Sequence, residues 1–449
     1  MATGPACAHA PLMNLAQQGT QVGLRALNRL AGSELIDRVG LRSTTERLVG
    51  GGTRNGFRAA NAAGRRFAAV QKLGKPARQK SSQRSGGFDI EPTEEQQMMI
   101  EAFVDFAAAK LRPAAQAADS ACATPPELLA QSAELGIAVL GVPEELGGAV
   151  DERSAVTSTL ITEALARGDM GLAFSALAPA AVSTALGLWG DAEQQSTYLP
   201  AFTGEDVPAA ALAVQEPRAL FDPFALETKA RRDGDGFVLD GLKSMVPRAA
   251  DAELFIVAAD LDGTPALFIV EASTAGLFTD PEPGMGLRAA ATAQLKLDGV
   301  KLGAGALLAE GNPDTYAECI RLGRVAWCAM ALGTAHGALD FLIPYVNERR
   351  AFGEPISHRQ AVAFNIADIG IEIEGMRLTT YRAASLADRG KDFSRAAAVA
   401  RELCRTKGTK IGSDAVGLLG GHGYVKEYPV ERWYRDLRAA GVLEGGLLV

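Results

Sequence analysis

The chain of 449 residues is poor in the groups that carry metal and disulfide chemistry. Its five cysteines (Cys7, Cys122, Cys319, Cys328, Cys404) lie far apart and include no C-x-x-C pair. That argues against a disulfide framework or a zinc site and fits a reducing compartment. The four histidines (His9, His336, His358, His422) show no ligand spacing either, so no metal centre is expected. Long uninterrupted apolar runs are also missing: "AVSTALGLWG" is short, and "RVAWCAMALGTAHGALDFLIPYV" carries Arg, His and Asp. No membrane span is expected, and the hydrophobic fraction of 47% is ordinary for a soluble enzyme.

Charge is unevenly spread. Residues 1–85 hold 14 Lys+Arg against 3 Asp+Glu; the chain totals of 45 and 53 leave 31 and 50 for the remainder. The body is therefore acidic, which opposes nucleic-acid binding. Residues 1–87 read as a basic arm and linker rich in Gly, Ser, Ala and Arg. Their composition is open to an appended helical or disordered arm, a transit peptide, or general contact with anions or membrane surfaces. Arginine is absent before Arg25, and Glu34, Asp37 and Glu46 interrupt the transit pattern.

A chain this long implies two or three domains. "EPTEEQQMMIEAFVDFAAAKLRP" opens with Thr93 and Gln96 spaced as a capping box, and Pro113 is expected to stop that helix. Residues 88–208 read as a helical domain. From about 209 the pattern turns to short β segments separated by Asp233-Gly234, Asp235-Gly236 and Asp262-Gly263, which signal hairpins. Residues 209–312 thus read as an antiparallel β domain. Helical periodicity returns over 314–347, 360–389 and 394–419, the last closed by Gly420-Gly421, so 313–449 reads as a helical bundle. The fold class is α+β, in the order α, β, α.

Four strings then become specific: "RRAFGEPISHRQAVAFNIADI", "LLGGHGYVKEYPVERWYRDLRAAGVLEGG", "PTEEQQMMIEAFVDFA" and "ELGIAVLGVPEELGGA". Together they resemble the acyl-CoA dehydrogenase family, collinearly over about 88–446 and with the same α-β-α layout. The resemblance implies FAD, an acyl-CoA substrate, α-proton removal with β-hydride transfer to flavin, and electron-transfer flavoprotein as acceptor. It also implies a tetramer whose subunits complete one another's FAD sites. Localisation is expected to be the bacterial cytoplasm, or alternatively a mitochondrial matrix, with a role in lipid β-oxidation.

Carried over position by position, the base stands eight residues after the Asp of "YRD": Asp436 leads to Glu444. Such a base needs apolar surroundings that bring it toward working pH. Val442, Leu443, Leu447 and glycines flank it. Some members place the base ahead of an Arg on the first long bundle helix, where this chain has Gly323 before Arg324. Arg324 resembles the arginine that steadies the base. Arg349, Phe352 and Gln360 match residues that hold the pyrophosphate and adenine end of a neighbour's FAD, and Gly420 and Gly421 match a glycine pair beside that cofactor.

The flavin-ring segments depart from the family. "QEPRALFD" has Gln215 in place of Thr and Phe221 in place of a ligand-facing Ser, with Arg218 and Leu220 between. "MVP" puts Pro247 where a Thr hydroxyl and N–H normally serve the flavin, and proline has neither. Phe221 and Leu220 are expected to crowd the ring site. Gly417 and Gly446 replace a Gln and a Thr, and the sequence stops short of the helix that normally follows the base. The first reading is an FAD-dependent acyl-CoA dehydrogenase with Glu444 as base. The alternative is a homologous subunit, silent at its own site, that completes a partner's FAD site in a hetero-oligomer. A related oxidase is a third possibility.

Overall fold

The computed structural model describes residues 92–148, 153–204 and 206–449, all within the unit Gly87–Val449. The readings made of the basic arm therefore fall outside the described residues. Helical structure begins where the capping box predicts. Thr93 Oγ1 accepts the Gln96 N–H at 3.2 Å and Gln96 Oε1 accepts the Thr93 N–H at 3.0 Å, opening α1 (Glu94–Phe106).

Pro113 does not stop the run. A π-turn at Ala107–Leu111 lengthens the bonding step, and Pro113 falls in the first turn of α2 (Arg112–Ala121). A first-turn proline has no intrahelical N–H bond to lose. Left-handed Cys122 (φ 52°) closes the segment instead. Helices α3 (Pro126–Glu134), α4 (Ala155–Gly168), α5 (Met170–Trp189) and α6 (Ala192–Tyr198) follow. Ser154 and Asp169 cap α4 and α5 by accepting the Thr157 and Leu172 N–H groups.

Seven strands make one sheet: β1 (Ala210–Ala213), β2 (Lys229–Asp233), β3 (Gly236–Val246), β4 (Leu254–Leu261), β5 (Thr264–Glu271), β6 (Leu277–Pro281) and β7 (Ala293–Leu302). Their order is β1-β4-β2-β3-β7-β6, with β5 also on β4. The Asp-Gly signals are the turns of two hairpins. Gly234-Asp235 joins β2 to β3, and Asp262-Gly263, both at positive φ (56° and 89°), joins β4 to β5. The sheet is not wholly antiparallel, which corrects that expectation. β1 pairs parallel with Leu254–Val257 of β4, and β2 pairs parallel with Asp260–Leu261. β1 and β2 thus run along one edge of β4 like a single strand interrupted by the excursion 214–228, and consecutive sequence patterning cannot distinguish that from a hairpin.

The bundle helices are α7 (Pro313–Glu348), α8 (Gln360–Asp388) and α9 (Ser394–Leu419), followed by α10 (Val430–Asp436) and α11 (Ala439–Val442). Their limits lie within a residue of the stretches expected from periodicity. A two-stranded ribbon, β8 (Arg350–Ala351) with β9 (Glu354–Pro355), links α7 to α8. The middle of α7 is buried on nearly every side, with Trp327 and Met330 fully enclosed. Helices α5 and α7 are long and apolar enough to cross a membrane, which corrects the expectation that no stretch reaches that length. Their most apolar windows are 83% and 72% buried inside the fold, so their apolar surface is already used in packing.

Candidate active site

After α11 the chain runs extended through Leu443 and then turns twice in left-handed conformation at Gly445 (φ 70°) and Gly446 (φ 77°). Both glycines are forced by closeness as well as by φ. A Cβ on Gly445 would stand 2.4 Å from Val214, and one on Gly446 would stand 3.0 Å from the Phe174 ring. Trp327 Nε1 donates to the Gly445 carbonyl at 2.8 Å and pins the turn to α7. The same passage explains Gly323, whose Cβ would come within 3.0 Å of the Leu447 carbonyl. A side chain at the alternative base position would collide with the segment that carries Glu444.

Glu444 is 6% exposed, and two guanidiniums hold its carboxylate. Arg324 of α7 grips it as a fork, Nε at 3.1 and 3.0 Å and Nη2 at 2.9 Å. Arg401 of α9 reaches the same carboxylate at 3.0 Å and donates to the Leu443 carbonyl at 2.8 Å. Burial lowers the Arg401 pKa from its ordinary value, an effect Glu444 opposes, and its Nη1 has no partner. The Glu444 N–H donates to Gln215 Oε1 at 3.0 Å, which ties the segment carrying Glu444 to the residues just past β1.

Little space remains beside the carboxylate. The cavity bounded by Gln215, Met245, Trp327, Phe174 and Leu443 measures about 10 Å³, room for roughly one water. Phe174 and Trp327 meet edge to face with centroids 4.9 Å apart and fill the depth of it. Met245 sits at φ 54° in an irregular stretch of β3, and its N–H donates to Glu282 at 2.7 Å, as does the Ser244 hydroxyl at 3.0 Å. Pro247 is buried and contributes no donor. Pockets that enclose drug-sized ligands usually measure about 300–1,000 Å³. The space beside Glu444 is far below that range.

One crowding expectation is corrected. Leu220 is fully exposed, turned outward at φ 55°, and does not crowd the site. Phe221 is half-buried under the Arg218 guanidinium, 5.8 Å from its ring centre, and is not on the wall of the Glu444 cavity. Arg218 itself pairs with Glu227 at 3.1 Å. Beneath this loop lies a buried pair that the sequence reading did not identify. Lys243 Nζ stands 2.8 Å from Glu216, which also accepts the Glu227 and Thr228 N–H groups at 2.8 and 2.9 Å. Burial pulls the Lys243 ammonium down to about 8, with Glu216 resisting.

Asp436, eight residues before Glu444, is buried and accepts the Leu287 N–H at 2.7 Å. Its neighbours are two ion pairs, Arg432 with Asp169 (2.9 Å) and Arg435 with Asp119 (2.9 Å). Burial raises its carboxyl to about 7, with the Asp169 charge adding to the effect.

Of the remaining candidates, Arg349, Phe352 and Gly420 line an open cleft of about 450 Å³ together with Tyr345, Arg359 and Leu418, and Gln360 and Gly421 are not on its wall. Phe352 is 94% exposed at φ 55°, with the Arg359 guanidinium 5.6 Å from its ring. Arg349 caps the end of α7 and is exposed, as is Gln360 at the start of α8. A Cβ on Gly420 or Gly421 would meet nothing within 4 Å. Tyr345 holds His422 through a 2.8 Å hydroxyl–Nδ1 bond, and His422 stacks on Tyr428 at 4.7 Å.

Arg401 was missed by sequence reasoning, yet a signal existed. It interrupts the small, buried stripe Ala397, Ala400, Cys404, Gly408 and Ile411 of α9, and a charge on such a stripe calls for a partner.

Comparison with known proteins covers the same span. Family profiles described as acyl-CoA dehydrogenase N-terminal, middle and C-terminal domains match residues 93–206, 211–300 and 314–446. The chain is 34% identical over 371 residues to the mitochondrial short-chain specific acyl-CoA dehydrogenase of Bos taurus, covering 79% of this chain and 88% of that protein. It is also 34% identical to a probable acyl-CoA dehydrogenase of Bacillus subtilis, covering 80% and 96%. Among solved structures, butyryl-CoA dehydrogenase from Megasphaera elsdenii aligns with a TM-score of 0.73 at 29% identity, covering 80% of this chain and 96% of that one.

Proposed function

Since the chain belongs to the acyl-CoA dehydrogenase family, whose cofactor is FAD, we propose that it serves as the subunit completing a homologous partner's FAD site while silent at its own. The observation that carries this reading is the contrast in free space. About 10 Å³ remains beside Glu444, and about 450 Å³ stands open at Arg349 and Phe352. The bound flavin would supply the hydride acceptor on the partner's side, where acyl-CoA would be dehydrogenated and electron-transfer flavoprotein reduced. This chain's part is to bind and orient. Arg349 can clamp phosphate oxygens, Phe352 offers an exposed ring face to an adenine, and the bare Gly420-Gly421 backbone allows close approach.

A second reading, a dehydrogenase with Glu444 as the α-proton base, is favoured by one observation. The carboxylate is buried on the wall it shares with Ser244 and Met245, with Arg324 gripping it and Gln215 accepting the Glu444 backbone N–H. In that case Oε2, approached by Arg324 Nε at 3.0 Å while Oε1 takes three guanidinium contacts, would be the oxygen that accepts the proton.

The test is to purify the full chain alone and with a co-expressed homologous acyl-CoA dehydrogenase, and to record flavin absorbance and acyl-CoA turnover. Subunit completion predicts a colourless chain alone, a yellow complex, and loss of flavin from that complex in Arg349→Gln. A yellow homo-oligomer that dehydrogenates acyl-CoA, and stops doing so in Glu444→Gln, would establish the second reading and overturn the first.

A further inference from the structure

Immediately after Pro247, Arg248 holds a left-handed backbone (φ 49°) and turns its side chain inward, leaving it 16% exposed. Its buried Nε has no hydrogen-bond partner. The carboxylate of Asp251 lies 4.0 Å away, beyond hydrogen-bond length, and is itself largely exposed. Burying a guanidinium N–H without a partner is unfavourable, and buried cations are as a rule paired. Burial accordingly lowers the Arg248 pKa, with Asp251 opposing only in part.

Arg248 is not sealed in protein. It lines a cavity of about 200 Å³ whose other walls include Leu129, Ala133, Ile137, Ala176 and Pro179. The polar groups facing it are few. The Ser132 hydroxyl is spent on the Leu128 carbonyl, and Asp206 stands exposed at the rim. No residue is shared with the walls of the Glu444 cavity. A chamber walled largely by apolar side chains, with a guanidinium whose Nε lacks a partner, is a pocket with a single orienting charge. We propose that this cavity binds a small organic carboxylate with a short aliphatic or single-ring body, its carboxylate on Arg248 and its body against the α3 and α5 walls. A multiply charged phosphate is disfavoured, because among the described residues Arg248 is the one cation on the wall and Asp206 adds a negative charge there.

The experiment is isothermal titration of the full chain with hexanoate and with benzoate, using hexanamide as the uncharged control. Saturable binding of a carboxylate, with hexanamide weaker by roughly tenfold or more, is expected from loss of a charge-assisted bond. Arg248→Gln should weaken carboxylate binding by a similar factor. Ala133→Phe keeps the arginine and fills the chamber, and should also abolish binding. Circular dichroism checks the fold of each variant, and if one fails to fold the other decides together with the amide control. Absence of carboxylate binding to the natural chain overturns the assignment. So does equal binding of hexanamide, or binding unchanged in a folded variant.

Discussion

The wall around Glu444 and the cleft beside Arg349 are built from the same kinds of residue, with opposite results. Each has two arginines, aromatic rings and a glycine pair. At the first, Arg324 and Arg401 close on a carboxylate of their own chain, Trp327 and Phe174 fill the depth, and Gly445-Gly446 let the backbone press against Val214 and Phe174. At the second, Arg349 and Phe352 extend to solvent, and Gly420-Gly421 face open space. Composition therefore does not decide whether such a set is a binding surface. What decides is whether its partners already lie in the same chain, because a buried donor that is satisfied internally has nothing left to offer a ligand.

The comparison breaks most readily at its internally paired side. Lys243→Met should cost about 3–5 kcal/mol, since it leaves Glu216 buried without its cation; urea unfolding at neutral pH measures it. Arg401→Leu should cost less, about 1–3 kcal/mol, because Arg324 still holds Glu444. Paired glycine substitutions compare the two regions directly. Gly446→Ala, at φ 77° with Phe174 in the way, should cost about 1–2 kcal/mol. Gly421→Ala should stay within about 0.5 kcal/mol, and thermal melts of the two variants side by side decide whether the asymmetry is real.

A further prediction concerns pH. Asp436 titrates near 7 when folded, above its ordinary 3.8, because burial disfavours its charge. The folded chain therefore binds the extra proton between these values. The stability this confers is fully present below about 4 and is lost as pH rises through about 7. Asp436→Asn keeps an acceptor for the Leu287 N–H and should flatten that part of the melting-temperature profile between pH 5 and 8.

Features set by neighbouring residues were legible in the sequence. The Thr93–Gln96 box, the Asp-Gly turns and the three bundle helices depend on local capping, local φ and helical period, and all three are found where expected. Features set by distant contacts were not. The parallel pairing of β1 and β2 with β4 depends on where the 214–228 excursion returns. Pro113 misled because the π-turn before it changes the hydrogen-bond register. Within the site, Glu444 and Arg324 come together as the resemblance implied, whereas Arg401 lies 43 positions before Glu444 on another helix. Bulk alone placed Leu220 in the pocket; its left-handed turn carries it out.

Glu216 gives the excursion between β1 and β2 a property of its own. With bonds to Thr228, twelve positions on, and to Lys243, this one carboxylate closes a loop much as a covalent staple would, fixing the ends without fixing what lies between. Closing a loop of that size restricts the unfolded chain only modestly, but it frees the enclosed residues from any duty to the sheet. Arg218, Leu220 and Phe221 all lie inside that loop, between strands whose register is set outside it.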